Sequence, residues 1–338
     1  MKAELGWGII GTGGIAAAFA ESLAASRRHR VVNVVGSSAA KGESFAKRWR
    51  LPRAASNLVE LLSDPEVEAV YVASPHPSHL EHSLAVIAAR KAVLCEKPLA
   101  TNVLDAQHMI EAARVAGVFL MEAFMYRCHP LIAETLKRLR TGAIGRIRHV
   151  RADFGYRTEH DPRGRLFDPA LGGGAILDVG GYPVSFARLI AGLAEGKPFA
   201  EPVELNAHGH LGFTGVDELA FAELAFASGV TAEIACATRH ELGTRCVVFG
   251  DEGRLELPNP WLPRGDRLGL ESDLVVVRDG AEPERICVTT ELATYAIEAD
   301  VVADTLPALE PSEPSMSWAD TLGNMRVMEA WSQALRSV

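Results

Sequence analysis

The sequence has 338 residues, enough for about two domains that each bury a core. With 48% hydrophobic and 23% charged residues it is not a disordered chain. At a formal net charge of −9 it offers no basic stripe to nucleic acid, because the run from Arg146 to Arg151 is short and interrupted.

Five cysteines, Cys95, Cys128, Cys236, Cys246 and Cys287, lack C-x-x-C spacing, which points to reduced, buried thiols in a cytoplasmic protein. The apolar runs are too short and broken to span a bilayer. No charged segment followed by an apolar one opens the sequence, so neither a secretory leader nor a membrane partner is expected.

In chain order, residues 5–125 alternate strand and helix. Strands are predicted at Leu5–Gly11, Val31–Gly36, Ala69–Ala73, Ala92–Cys95 and Val118–Met121. Helices are predicted at Ile15–Ala25, Lys41–Arg50, Leu58–Leu62, from His79 to Arg90, and at Val103–Ala116 with Gly117 as its stop. The valines of the second strand form a near-continuous apolar run, as a strand buried on both faces requires. This alternation predicts an α/β domain with a doubly wound parallel sheet over residues 1–125.

After Tyr126 the pattern changes. A helix is predicted at Ile132–Arg140, a long strand at Ile147–Tyr156, and a helix at Val184–Ala191 behind a glycine-rich stretch. Strands without intervening helices follow at Leu205–Leu211, Glu218–Phe226, Thr231–Thr238, Arg245–Phe249, Leu255–Leu257 and Leu274–Val277, the pattern of an α+β domain with a mostly antiparallel sheet over 126–338. Residues 301–315 are expected to be a loop, and 318–335 a closing amphipathic helix that packs back on the first domain.

Five stretches carry candidate chemistry. Gly11-Thr12-Gly13-Gly14-Ile15-Ala16 joins strand to helix with G-x-G-x-x-A spacing. Gly11 can make the tight turn, Gly13 admits a pyrophosphate, and small Ala16 lets helix and strand pack. The second strand ends without the Asp or Glu that accepts from both ribose hydroxyls. Ser37, Ser38 and Lys41 stand there instead, suited to a 2′-phosphate, so NADP is favoured and NAD is the alternative; the serines also suit a helix cap.

Ser74-Pro75 and Glu96-Lys97-Pro98 each follow a predicted strand, at the sheet edge where ligands bind. His76, His79 and His82 are spaced by three, but the helix start separates them and no carboxylate or cysteine completes a metal set, so cap and surface roles are expected. His208 and His210 read as solvated. Finally, Gly172-Gly173-Gly174 leads to Asp178 and Tyr182, which share a face if the segment is helical. A carboxylate beside a phenol suits proton transfer, and equally a buried structural hydrogen bond.

Taken in order with Glu122-Ala123-Phe124-Met125-Tyr126-Arg127-x-His129-Pro130, these motifs resemble the glucose-fructose oxidoreductase/inositol dehydrogenase (Gfo/Idh/MocA) family across nearly the whole chain. The branch containing xylose dehydrogenases and dimeric dihydrodiol dehydrogenases is the most similar. The resemblance implies a Rossmann domain, then a domain with a large open sheet through which homodimers or homotetramers form. It implies hydride transfer between a nicotinamide and a sugar or cyclic-polyol carbon, an aldose such as xylose or glucose being favoured.

On that basis Tyr182 is the general acid/base, Lys97 its cationic assistant and Asp178 the orienting carboxylate. Glu96, His79, Glu122 and Arg127 fall to the cofactor, and Tyr156, Arg157 and Arg165 to the substrate wall. A dihydrodiol or other non-sugar substrate, or a non-catalytic nucleotide-sensing regulator on the same fold, are the alternatives.

Overall fold

The computed structural model describes residues 4–262 and 271–336. The chain forms two compact units. The first is built from the residues up to Cys128 together with Leu292–Thr321, and the second from His129–Glu291 and the residues from Leu322 onward.

The first unit alternates β1 (Leu5–Ile10), α1 (Gly14–Leu23), β2 (His29–Val35), α2 (Ala39–Trp49), β3 (Arg53–Ala55), α3 (Leu58–Ser63), β4 (Ala69–Val72), α4 (His79–Ala88), β5 (Ala92–Glu96), α5 (Val103–Ala116), β6 (Leu120–Ala123) and α6 (Met125–Cys128). Its sheet runs β3-β2-β1-β4-β5-β6, with every pairing parallel. That is the order of a doubly wound dinucleotide fold, with its switch point between β1 and β4.

Local chemistry sets the boundaries. Ser38, Asn57 and Asn102 cap α2, α3 and α5 by accepting from the backbone N–H three residues on. Gly117, at φ 61°, ends α5. Strands β1 and β4 are buried throughout and β2 is buried except at Arg30, so their apolar runs form the core. Strand β3 is too short for an apolar pattern to reveal it in the sequence.

The second unit holds α7 (Pro130–Arg140), β7 (Ile147–Arg157), α8 (Gly181–Ala194), β8 (Pro202–Leu211), β9 (Asp217–Phe226), β10 (Thr231–Ala237), β11 (Arg239–Gly243), β12 (Cys246–Gly250), β13 (Gly253–Leu257), β14 (Glu271–Arg278) and β15 (Glu284–Thr289). The sheet runs β15-β14-β13-β12-β7-β10-β9-β8, with β11 also paired to β7. All pairings are antiparallel except β7 with β10.

One face of this sheet carries Ala220, Ala222, Leu224 and Phe226 of β9 inward, and α8 packs on that covered side. Residues Pro169–Ala194 are long and apolar enough to cross a membrane by length and composition, but 89% of the apolar window is buried inside the protein, so α8 is a core helix.

Helix α9 (Thr294–Thr305) belongs to the first unit and corrects the expected loop at 301–315. Asp300 binds Arg28 and His29, and Asp304 binds Arg28, which docks α9 beside β2. The segment after it covers β6: Leu120 N–H donates to the Leu309 carbonyl and Trp318 Nε1 to the Leu120 carbonyl, closing a sheet edge that would otherwise be open. Helix α10 (Trp318–Arg336) starts in the first unit and continues from Leu322 in the second.

Of the cysteines, Cys95, Cys236 and Cys246 are buried as expected. Cys287 is exposed and Cys128 lies between the two classes, which corrects the expectation for both. Strands β11 and β15 were not evident in the sequence, since both alternate exposed or half-exposed residues without an apolar face.

Candidate active site

In the first unit the loops at the carboxyl ends of β1, β2, β4, β5 and β6 gather the candidate residues. Gly11 has φ +115°, and a Cβ there would lie 2.5 Å from the Ala73 carbonyl oxygen, so only glycine fits between β1 and β4. Gly13 sits at the cap of α1 with nothing within 4 Å of a built Cβ, and no side chain caps the helix. Thr12 lies in this turn, Gly14 and Ile15 open α1, and Ala16 is fully buried against the sheet. The result is an open cradle at the positive end of a helix, of the kind that fits a pyrophosphate.

At the end of β2, Lys41 Nζ donates to Ser37 Oγ at 3.2 Å, while Ser38 Oγ accepts from the Lys41 N–H. All three side chains are exposed. Ser38 therefore caps α2, and the Ser37–Lys41 pair stays available to an anion.

The β4 and β5 ends are more tightly built. Ser74 Oγ meets His82 Nδ1 at 2.9 Å. His79 is not at the surface: its ring is fully buried, with Nε2 3.0 Å from the Ser74 carbonyl and Nδ1 2.9 Å from that of Pro98. Burial lowers its pKa; the Pro98 and Ser74 carbonyls oppose this, and the charges of His82 and Lys97 add to it. This corrects the expected cap or surface role: the buried neutral ring donates its single N–H to one of these two carbonyls and turns its other nitrogen toward the protein as well.

Pro75 precedes a short 3₁₀ turn at His76–Ser78. Among the described residues no group of three or more His, Cys, Asp or Glu is placed to hold a metal ion.

Glu96 accepts from the Tyr71 hydroxyl with one oxygen and from the Lys97 N–H with the other, at 3.3 Å. Lys97 is half-buried, and the Lys97–Pro98 peptide is cis. Glu122, at the end of β6, is 2% exposed and accepts from the Leu99 N–H at 2.9 Å. Burial pushes its carboxyl up to about 7, with Asp320 adding to the rise and Thr321, Leu99 and Lys97 opposing it.

Arg127, expected near the cofactor, is 1% exposed. It donates to the Pro314 carbonyl and, at 2.9 Å, to Asp320. Its guanidinium ties α6 to the 314–320 segment, the use that a buried planar fork suits.

In the second unit the segment carrying Asp178 is a π-helical turn, Ile176–Gly180, that runs directly into α8. Such turns often mark functional sites. Helix α8 therefore begins at Gly181, ahead of the expected Val184.

Asp178 is buried and accepts from the Tyr156 hydroxyl on Oδ2 and from Arg165 Nη1 on Oδ1 at 2.7 Å. Burial and the Asp178 charge push the Tyr156 phenol above its usual range, so Tyr156 remains a proton donor. Three predicted substrate residues thus meet in one network. Tyr182 follows within the first turn of α8, 6% exposed, its ring 5.1 Å from that of Phe154 and 5.6 Å from that of Trp261.

Sequence reasoning missed the residues that hold this arrangement. Asp217, at the start of β9, accepts from the Ile176 N–H at 2.6 Å and so fixes the start of the π-turn. A Cβ on Gly174, at φ +120°, would lie 2.4 Å from its Oδ1. Burial raises Asp217 to about 6. Trp261, fully buried, donates to the Asp153 carbonyl and walls Tyr182. Neither is marked by a local motif, because both act across the fold.

Residues 5–124 match a family model for an oxidoreductase family with an NAD-binding Rossmann fold, and residues 132–256 match the GFO/IDH/MocA C-terminal domain. The chain is 36% identical over 261 residues to trans-1,2-dihydrobenzene-1,2-diol dehydrogenase of Mus musculus, covering 77% of this chain and 76% of that protein. It is 38% identical over 262 residues to the Danio rerio protein of the same name, with the same coverage.

Among solved structures, an aldose-aldose oxidoreductase from Caulobacter crescentus complexed with glycerol superposes with a TM-score of 0.87 at 26% identity, covering 99% of this chain and 98% of that one. A 3-ketoreductase from Actinomadura kijaniata in complex with NADP and TDP-benzene gives 0.84 at 25%, with the same coverage. The cradle on β1, the ordered motifs and these matches agree: the chain belongs to the Gfo/Idh/MocA family of NAD(P)-dependent oxidoreductases.

Proposed function

We propose that this protein moves a hydride between NADP and a secondary alcohol or hemiacetal carbon of a sugar or cyclic polyol, with an aldose such as xylose or glucose favoured. The observation that carries the reading is the Asp178 network: a carboxylate held by Tyr156 and Arg165, one helical turn before a largely buried tyrosine. Hydroxyl groups on a ring need this mixture of fixed donors and acceptors.

Gly11, Thr12, Gly13, Gly14 and Ile15 would hold the pyrophosphate, Ser37, Ser38 and Lys41 the 2′-phosphate, and Ser74, Pro75 and Glu96 the remaining walls. The lack of a carboxylate at the end of β2 supports NADP over NAD. When bound, the cofactor supplies the hydride acceptor or donor at its nicotinamide. Tyr182 takes the proton of the substrate hydroxyl in oxidation and returns it in reduction. A free phenol, with pKa about 10, is a weak base at neutral pH, so the reading needs a cationic assistant, the role given to Lys97. Asp178 orients the substrate, with Tyr156 and Arg165 beside it.

A second reading, oxidation of a trans-dihydrodiol, is favoured by the relatives at 36% and 38% identity. One experiment separates the two: initial rates with D-xylose, D-glucose and trans-1,2-dihydrobenzene-1,2-diol, each with NADP and NAD. Turnover of a sugar with NADP supports the first reading, and turnover of the diol alone replaces it with the second.

A cytoplasmic homodimer or homotetramer through the second sheet is part of the proposal, since Phe221 and Phe249 are 42% and 36% exposed on that sheet. Light scattering of the purified protein reads that state directly.

A further inference from the structure

The loop that carries Lys97 has its backbone held by side chains. Lys97 N–H donates to Glu96 at 3.3 Å, the Pro98 carbonyl faces His79 Nδ1 at 2.9 Å, Leu99 N–H donates to Glu122 at 2.9 Å, and the Leu99 carbonyl lies 3.9 Å from Cys95 Sγ. Glu96, His79, Glu122 and Cys95 are each under a tenth exposed. A buried peptide group needs a partner, and here the partners come from three elements, β5, α4 and β6. Through Nε2, 3.0 Å from the Ser74 carbonyl, His79 also ties the end of β4 to this loop.

We propose that His79 and Glu122 are positioning residues for Lys97. They grip adjacent groups of the 97–99 backbone, the carbonyl of residue 98 and the N–H of residue 99, and so fix where the lysine leaves the sheet. Neither needs to touch cofactor or substrate. The neutral His79 ring has one N–H to give, and carbonyl groups of Pro98 and Ser74 lie within reach of its two nitrogens, while one oxygen of Glu122 is taken by Leu99. The inference rests on the catalytic reading of Lys97 given above, and it replaces direct cofactor contact for these two residues.

The test uses the full-length enzyme and the variants Lys97→Met, His79→Phe, Glu122→Leu, Glu122→Gln and His79→Asn, with His79→Phe and Glu122→Leu also combined with Lys97→Met. Two quantities are measured. One is kcat per mole of NADP-binding enzyme, with D-xylose and with trans-1,2-dihydrobenzene-1,2-diol. The other is the acetylation rate of Lys97 by acetic anhydride in cofactor-free protein, relative to exposed Lys47, read by peptide mass spectrometry.

His79→Phe and Glu122→Leu should each change the Lys97 labelling ratio by about threefold or more and lower kcat by about tenfold or more. Glu122→Gln and His79→Asn, which keep one bond each, should recover most of both. In the Lys97→Met background neither substitution should lower kcat further by more than about twofold, because residues acting through one group are not additive. Where Glu122→Leu does not fold, Glu122→Ser takes its place with the same expectations.

Variants that fold, bind NADP and leave Lys97 labelling unmoved would overturn the proposal, as would effects that multiply with Lys97→Met. An unchanged kcat in Lys97→Met would instead remove the catalytic reading, and the labelling ratio would still judge the positioning claim.

Discussion

Arg165 donates from Nη1 to Asp178 Oδ1 across 2.7 Å, from a side chain that is 57% exposed to one that is 6% exposed. The carboxylate is the buried end and the guanidinium the wet one. Replacing Arg165 with Met should therefore cost more stability than loss of an exposed ion pair, about 1–3 kcal/mol, because the buried carboxylate loses a hydrogen bond to a charged group. Asp178 would still accept from Tyr156 but lose the Arg165 guanidinium, so KM should rise about tenfold with kcat within about threefold. Urea denaturation and steady-state kinetics on one preparation check both parts.

Lys97→Met and Tyr182→Phe each remove a group assigned to the proton transfer. Each should lower kcat by about 10² while the NADP dissociation constant stays within about threefold. Fluorescence titration with NADPH beside single-turnover rates separates binding from chemistry.

Cofactor choice should follow Ser37 and Lys41. Lys41→Ala should weaken NADP about tenfold and leave NAD unaffected, because Lys41 Nζ already lies 3.2 Å from Ser37 Oγ at the proposed phosphate position. Ser37→Asp should weaken NADP and strengthen NAD by supplying the missing carboxylate. Calorimetric titration of both nucleotides against the three proteins is the check.

Glu298, on α9, is fully buried, and neither of its carboxyl oxygens has a hydrogen-bond partner. Burial, with Glu96 beside it, pushes its carboxyl well above the ordinary range; Tyr71 and Cys128 also face it. In the unfolded chain the same group ionises near its usual pKa, so between the two values the folded state binds the extra proton. Stability then falls as pH rises through that window. Glu298→Gln removes the effect. The variant should gain on the wild type in melting temperature between pH 5 and pH 8, by about 2 °C or more. Scanning calorimetry at the two pH values tests the sign.

The first sheet was legible because its evidence is local. Buried strands read as valine runs, caps sit three residues from their partners, and Gly11 must be glycine for a reason visible in the turn. Lys97, Asp178 and Tyr182 were legible as members of ordered motifs. What stayed hidden depends on contacts across the fold. His79 looked like a helix-start histidine, yet its ring is closed in by carbonyls from residues 74 and 98. Arg127 looked available, yet Asp320, far along the chain, takes its charge. Asp217 holds the π-turn from another element altogether. Helix α9 was missed because the prolines that follow it suggested a loop extending back to Val301.

The central claim is a tyrosine-dependent hydride transfer with NADP. The most direct measurement is the nicotinamide absorbance of wild type and Tyr182→Phe, mixed with NADP and the three substrates named above. The account predicts reduction of NADP by the wild type with at least one of them, and a rate lower by about 10² in the variant. No absorbance change with any substrate and either cofactor, or equal rates in the two proteins, would contradict it.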